Sequence, residues 1–445
     1  MKNNLTTGSP LKGIILFTLP IILGNLFQIL YGMTDAAIVG RTLGPDALAA
    51  VGATSAPQWL VISFSVGICE GLCFVVSQKF GAKDEKGLKD SVAIGIIIVA
   101  ITSIVFTFLA TFFLDNLMEL INIPQNIYKD CRFYMFTIFS GLGVTIFYNY
   151  FASVLRSMGN SKIYLVFLVI SCILNVIFDL VFIIIFKMGV FGAGLATLLS
   201  KFVLLILCIA YALWKYPVLR LKKENWHINS SYFLRHIKYG LPTALLQCST
   251  GIGNIVSAAY INTLGSLPLA AIAGAQSIEQ IVGTTMSATG VTAGTYTAQN
   301  YGAREYGRIK VGIRKLTLLM FAFVAVAMVI ILSLSTQFVH LFVGEGQAEI
   351  ERLVFLHLCI LLPGHAIHGI IFIYRGALQG IGETVAPFVC GLIELFVRPL
   401  VAALFISTIG FYAACIESPA GWLASALPLY ICYVCISRKK LKSLQ

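Results

Sequence analysis

The chain has 445 residues, 58% of them hydrophobic and 11% charged, with a net charge of +12. That is too apolar for a soluble protein of this size and reads as a polytopic membrane protein. The positive charge does not point to nucleic acid, because the basic residues fall in short segments between apolar runs, where they set topology. The eleven cysteines lie in or beside apolar runs without the spacing of a disulfide framework or a zinc site, so they read as small buried hydrophobes, Cys432 and Cys435 included.

In chain order, the polar lead from Met1 to Lys12 feeds an apolar run too long for a signal-peptide core and without a cleavage site, so the first helix is expected to remain. Windows of about twenty apolar residues predict an all-α integral membrane protein of twelve spans. They begin near Gly13, Leu48, Leu88, Tyr128, Ile163 and Phe191, then near Arg235, Leu269, Lys310, Glu349, Val385 and Tyr412. The first span carries Gln28 and Asp35, seven residues apart and so on one helix face. A carboxylate at membrane depth is costly unless protein or water solvates it. It therefore marks a cation or proton site, the plainer alternative being a charge neutralised for packing alone.

Glu70 and Glu279 sit within the second and eighth spans, where an acid facing a cavity would attract cationic substrates. Asn175 and Asp179, four apart, share a face of the fifth span, and Thr197 lies in the sixth. The turn between these spans centres near Met188, so Asp179 and Thr197 lie at similar depth, and Asp35 matches them counted from the outer end of span one. Two carboxylates, an amide and a hydroxyl form an all-oxygen set suited to Na⁺ or to a shared proton. Lys201, one turn below Thr197, either pairs with one of the acids, which weakens Na⁺ binding and favours protons, or snorkels to water. In span ten His357, His365 and His368 read as packing residues before they read as a proton relay. Glu394 and Arg398, four apart in span eleven, are expected to pair structurally. No phosphate loop or nucleophile motif occurs, so the chain is not expected to be an enzyme, and a membrane-embedded enzyme or receptor is a remote alternative.

With the N-terminus in the cytoplasm, the outer segments hold only Arg41, Lys129, Arg132, Lys187 and Arg352, so both termini are expected inside. The second half repeats the first at an offset of about 221. Leu43-Gly-Pro-Asp-Ala-Leu-Ala-Ala-Val51 matches Leu264-Gly-Ser-Leu-Pro-Leu-Ala-Ala-Ile272, Gln78-Lys-Phe-Gly-Ala-Lys83 matches Gln299-Asn-Tyr-Gly-Ala-Arg304, and Pro20 answers Pro242. Six spans per half make this a parallel repeat, chiefly a transporter signature. The expected division is an N-lobe over 1–214, a cytoplasmic linker over 215–238 and a C-lobe over 239–445.

These motifs, with Leu19-Pro20, Gly24-Asn25-Leu26, Asn175-x-x-x-Asp179, and Leu155-Arg-Ser-Met-Gly159 answered by Leu378-Gln-Gly-Ile-Gly382, make the chain resemble the bacterial multidrug and toxic compound extrusion (MATE) family over nearly its whole length. The resemblance implies a pseudo-symmetric pair of six-helix lobes around a central cavity in the bacterial inner membrane. It also implies export of amphipathic, often cationic small molecules in exchange for Na⁺ or H⁺, with no other cofactor. The chain is expected to be monomeric. Under the resemblance, Asp35, Asn175, Asp179 and Thr197 fall on an N-lobe cation site and Gln28 on a neighbouring polar position. The C-lobe departs from the family's acidic pattern: Asp35 maps to Ser257, and the positions where some members carry acids are Thr250 and His368. The competing reading is a lipid-linked saccharide flippase of the same superfamily. A flippase usually carries a more basic cavity, whereas Asp35, Glu70, Asp179, Glu279 and Glu394 here outnumber Lys201 and Arg398. The topology is checked by labelling introduced cysteines in intact cells: the loop from Gln78 to Asp90 and the linker from Lys215 to Lys238 should resist reagents added outside, and labelling of either from outside contradicts the twelve-span arrangement.

Overall fold

Backbone polar groups in lipid must be satisfied within their own segment, which leaves helix as the solution for separate apolar runs. The computed structural model describes residues 5–227, 229–343 and 346–442, and every regular element among them is helical. Two compact units result, one from Leu19–Ala244 and the other from Leu5–Thr18 together with the chain from Leu245 onward. Met1 to Asn4, part of the polar lead, lie outside the described residues.

The first half runs α1 (Pro10–Leu43), α2 (Pro45–Ala53), α3 (Ser55–Gly81), α4 (Glu85–Phe112), α5 (Leu114–Leu120), α6 (Gln125–Ser140), α7 (Leu142–Ser157), α8 (Ser161–Asp179) and α9 (Gly189–Lys215). The second runs α10 (Ser230–Ile261), α11 (Ser266–Gly302), α12 (Tyr306–Ser333), α13 (Ser335–Val343), α14 (Ala348–Gly380), α15 (Val385–Ile409) and α16 (Phe411–Lys442). Ten helical segments are long and apolar enough to cross a membrane, and α6 with α7 makes an eleventh, bent by 46°. The bend falls at Ser140-Gly141, a pairing that commonly kinks helices. The twelfth is α11, whose 37 residues are long enough but rich in Thr and Gly. Its second half is almost wholly buried, so its hydroxyls meet protein instead of lipid.

The duplication is written in the backbone. Left-handed φ values recur at matching turns: Gly44 (+94°) and Gly265 (+89°), Gly159 (+80°) and Gly382 (+91°), Gly189 (+61°) and Gly410 (+55°). Lys83 (+56°) and Arg304 (+60°) repeat the same conformation without being glycine. A residue with a side chain is rarely held there, so its recurrence at one motif reflects a shared turn geometry and not the permissiveness of glycine.

At the first of these turns Asp84 caps α4, its carboxylate accepting from the Gly87 amide (2.9 Å) and from Lys79 Nζ (2.7 Å). The Lys79 hydrogen bond, then that of Gly87, holds the Asp84 carboxyl below the usual carboxylate range. Because the folded-state pKa is depressed, the stabilisation is present at neutral pH and is lost as pH falls through the folded value. The exposed ion pair itself adds little, so the cap dominates. Asp84→Ala should cost about 1 kcal/mol locally, read as roughly fivefold faster amide exchange at the start of α4. The difference from wild type should vanish in acid, and an unchanged exchange rate at neutral pH contradicts the cap.

A buried carboxylate pair and its counterpart

Asp35 on α1 and Asp179 at the end of α8 are neighbours, close enough for each carboxylate to act on the other electrostatically. Asp179 is 0% exposed and Asp35 6%. Asn175, one turn before Asp179, is also fully buried, and Thr197 on α9 accepts from the Tyr31 hydroxyl at 3.2 Å. Lys201 is close enough to Asp35 to act on it electrostatically. Five buried polar atoms here have no hydrogen-bond partner among the described residues: Asp35 Oδ1, both side-chain polar atoms of Asn175, and both carboxylate oxygens of Asp179. Buried polar groups are normally satisfied, and two adjoining carboxylates supply acceptors with no donor between them. The residues therefore fit a proton or a hard monovalent cation, which would satisfy oxygens and offset the like charges together. Directly after Asp179 the helix widens into a π turn over Leu180–Ile185, a distortion that recurs at functional sites.

Gln28 does not join this cluster. Its amide donates to the Tyr164 hydroxyl (3.4 Å), which also meets the Tyr148 hydroxyl (3.3 Å). Seven residues along a helix are about 10 Å of rise, enough to give two residues on one face different neighbours. Arg156 of α7 lies over the Tyr164 ring at 4.9 Å and is the charge that acts on Glu70. Glu70 therefore has a basic neighbour that the sequence did not indicate.

In the second unit the expected Glu394–Arg398 pair gives way to two others. Arg398 grips Glu417 of α16 in a bidentate pair, Nη2 to Oε1 at 2.8 Å and Nε to Oε2 at 3.0 Å. Glu394 instead faces Arg375 of α14 at 3.7 Å. The i, i+4 spacing allows a pair on one helix, but two parallel N–H···O bonds to a facing carboxylate satisfy the planar guanidinium better. His365 Nε2 lies 3.9 Å from Glu279, whose side chain is 26% exposed, while its Nδ1 meets the Leu361 carbonyl at 3.1 Å. His368 stacks on Trp422 (4.2 Å, 7°) and His357 sits against Phe411 (6.2 Å). The Thr250 hydroxyl turns back to the Leu246 carbonyl of its own helix.

Sequence reasoning missed Glu417, Tyr31 and the burial of Arg375. Tyr31 precedes Asp35 by four residues and so shares its face, a signal that was available. Glu417 lies inside the last apolar run and could have been found as an intramembrane acid, but its partner comes from another helix.

Duplicated sets of long apolar helices, with ionisable side chains buried among them, define a multi-pass membrane transporter. The MatE family profile matches residues 20–181 and 242–404, and the chain belongs to that family of multidrug efflux transporters. It is 24% identical over 441 residues to the probable multidrug resistance protein YoeA of Bacillus subtilis, covering 96% of this chain and 94% of that one. It is 23% identical over 437 residues to the multidrug export protein MepA of Staphylococcus saprophyticus (95% and 94% covered). The match to the probable multidrug resistance protein YpnP of Bacillus subtilis, at 27% identity over 289 residues, spans 64% of each chain. Among solved structures, the fold is shared with an outward-facing multidrug resistance MATE family transporter, at TM-score 0.89 and 22% identity, covering 100% of this chain and 99% of that one.

The reassigned ion pairs are checked by double-mutant cycles on thermal unfolding of the purified protein. Coupling between Arg398 and Glu417 should exceed about 1 kcal/mol and be larger than that between Arg398 and Glu394. The reverse order contradicts the pairing.

Proposed function

We propose that the chain is an antiporter of the bacterial cytoplasmic membrane, with both termini inside. It exports amphipathic, often cationic compounds by alternating access, in exchange for a cation bound at Asp35 and Asp179. The observation that carries this reading is the buried, partnerless carboxylate pair. A transported ion shifts a conformational equilibrium only through differential affinity for its states, and a pair of like charges whose separation changes with conformation supplies such a difference. Asn175 and Thr197 complete the oxygen set. Lys201 beside Asp35 already provides one positive charge, which supports H⁺ over Na⁺ as the coupling ion.

The relatives' names as multidrug resistance and export proteins support a drug-like substrate. Glu279, partly exposed, is the acid best placed to meet a cationic one. The balance of buried charge argues against a flippase for pyrophosphate-linked saccharides. Glu417 joins the acids and Arg156 and Arg375 join the bases, but Glu394 is paired with Arg375 and Glu417 with Arg398. Asp35, Glu70, Asp179 and Glu279 then remain against Lys201 and Arg156.

In proteoliposomes a pH gradient alone should drive export of a cationic dye, and a Na⁺ gradient alone should not. Asp35→Asn and Asp179→Asn should each abolish that export while the protein stays folded, and His368→Ala should reduce it only in part. Lys201→Ala should admit Na⁺ as a driving ion. Export at the wild-type rate by the Asp35→Asn, Asp179→Asn double variant removes the pair from the mechanism, and movement of a lipid-linked precursor with dyes untouched selects the flippase.

A further inference from the structure

The internal repeat can be traced residue by residue through burial, and it leads from the carboxylate pair to a second place in the fold. At an offset of 222, buried Gly24, Asp35 and Val39 of α1 correspond to buried Leu246, Ser257 and Ile261 of α10. At 223, buried Tyr164, Phe167, Leu168, Ser171 and Asp179 of α8 correspond to Pro387, Cys390, Gly391, Glu394 and Ala402, the five buried residues of α15. At 221, all eight buried positions of α9 from Gly192 to Cys208 are buried again in α16. Asp35, Asn175, Thr197 and Asp179 thus have as counterparts Ser257, Arg398, Ser418 and Ala402.

Three of these four counterparts converge in the second unit, around Glu417. Each oxygen of that carboxylate takes two donors: Oε1 accepts from Arg398 Nη2 and from Ser418 Oγ (2.8 Å each), and Oε2 from Arg398 Nε (3.0 Å) and Ser257 Oγ (3.2 Å). Arg398 Nη2 also donates to Ser418 Oγ at 2.7 Å. Where the first unit leaves buried carboxylate oxygens without a donor, the second supplies a guanidinium. The fold has made room for it: a Cβ on Gly421, the counterpart of Ser200, would strike the Arg398 stem.

We infer that Arg398 is a tethered cation. Its guanidinium permanently fills the second unit's counterpart of the Asp35–Asp179 site, leaving the chain one exchangeable cation site, so that Arg398 fixes coupling at one cation per chain. This rests on the reading of Asp35 and Asp179 as the exchangeable site. Removing the guanidinium should leave Glu417, Ser257 and Ser418 as an oxygen set open to a free monovalent cation, either H⁺ or Na⁺.

The test uses the purified full chain, with bound ²²Na⁺ counted at alkaline pH and protonated carboxyl groups followed by their infrared carbonyl band. Asp35→Asn with Asp179→Asn should remove the cation bound by wild type, and retention of that cation overturns the reading of the first site alone. In that silenced background Arg398→Asn, the residue at the matching position of α8, should gain one cation per chain, as Na⁺ or as a new carboxyl proton. Glu417→Gln should abolish the gain, and Arg398→Lys, which keeps a tethered charge, should show none. If Arg398→Asn does not fold, Arg398→Met, which keeps the buried stem, is measured in its place. A folded variant that gains neither cation, or a gain that survives Glu417→Gln, overturns the inference.

Discussion

Every ionised side chain held among apolar helices must find an opposite charge or a set of donors, because neither lipid nor a packed core will solvate it. The second unit meets this requirement internally, with Arg398 on Glu417 and Arg375 on Glu394. The first unit does not. Its two buried carboxylates are neighbours, with Lys201 acting on one of them, and Asp35 Oδ1 and both Asp179 oxygens have no hydrogen-bond partner among the described residues. That imbalance distinguishes the first unit's carboxylate pair from the second unit's ion pairs, and it is what the proposed exchange of a cation rests on.

The same backbone therefore carries two chemistries. The recurring left-handed turns at Gly44 and Gly265, Lys83 and Arg304, and Gly189 and Gly410 show that the halves kept their geometry. The side chains diverged where the charges sit. Ser257 stands where Asp35 would be, Arg398 where Asn175 would be, and the acid moved to Glu417, at the position of Ala196. On the proposed reading, the first unit changes state with its ion while the second is held by an ion pair that stays in place.

Much of this was legible in the sequence because membrane helices are constrained in few dimensions. Apolar length placed the spans, including the one near Leu269 that becomes α11, although its threonines and glycines make it the least apolar of the set. Depth counting brought Asp179, Thr197 and Asp35 to one level, the last counted from the outer end of its own span, and Asn175 joined them by sharing a helix face with Asp179. In the structure Asp35 and Asp179 are neighbours and Tyr31, on the face of Asp35, meets Thr197. Partners across helices were not legible. The i, i+4 rule matched Glu394 to Arg398, yet both residues turned to other helices, since helical spacing fixes a face but not what packs on it. Gln28, expected on a polar position neighbouring the cation site, meets Tyr164, since sharing a face over two turns does not mean sharing neighbours. Glu417 stood in plain view as an acid inside the last apolar run, but its partner Arg398 comes from another helix and no spacing rule joins the two.

The central claim is that substrate and cation compete through Asp35 and Asp179. It is tested most directly by counting cations released when a cationic dye saturates the purified protein in weakly buffered solution. The account predicts release of about one cation per chain from wild type, and none from the Asp35→Asn, Asp179→Asn variant even where that variant still binds dye. Dye binding to wild type without cation release, or undiminished release from the double variant, would contradict it.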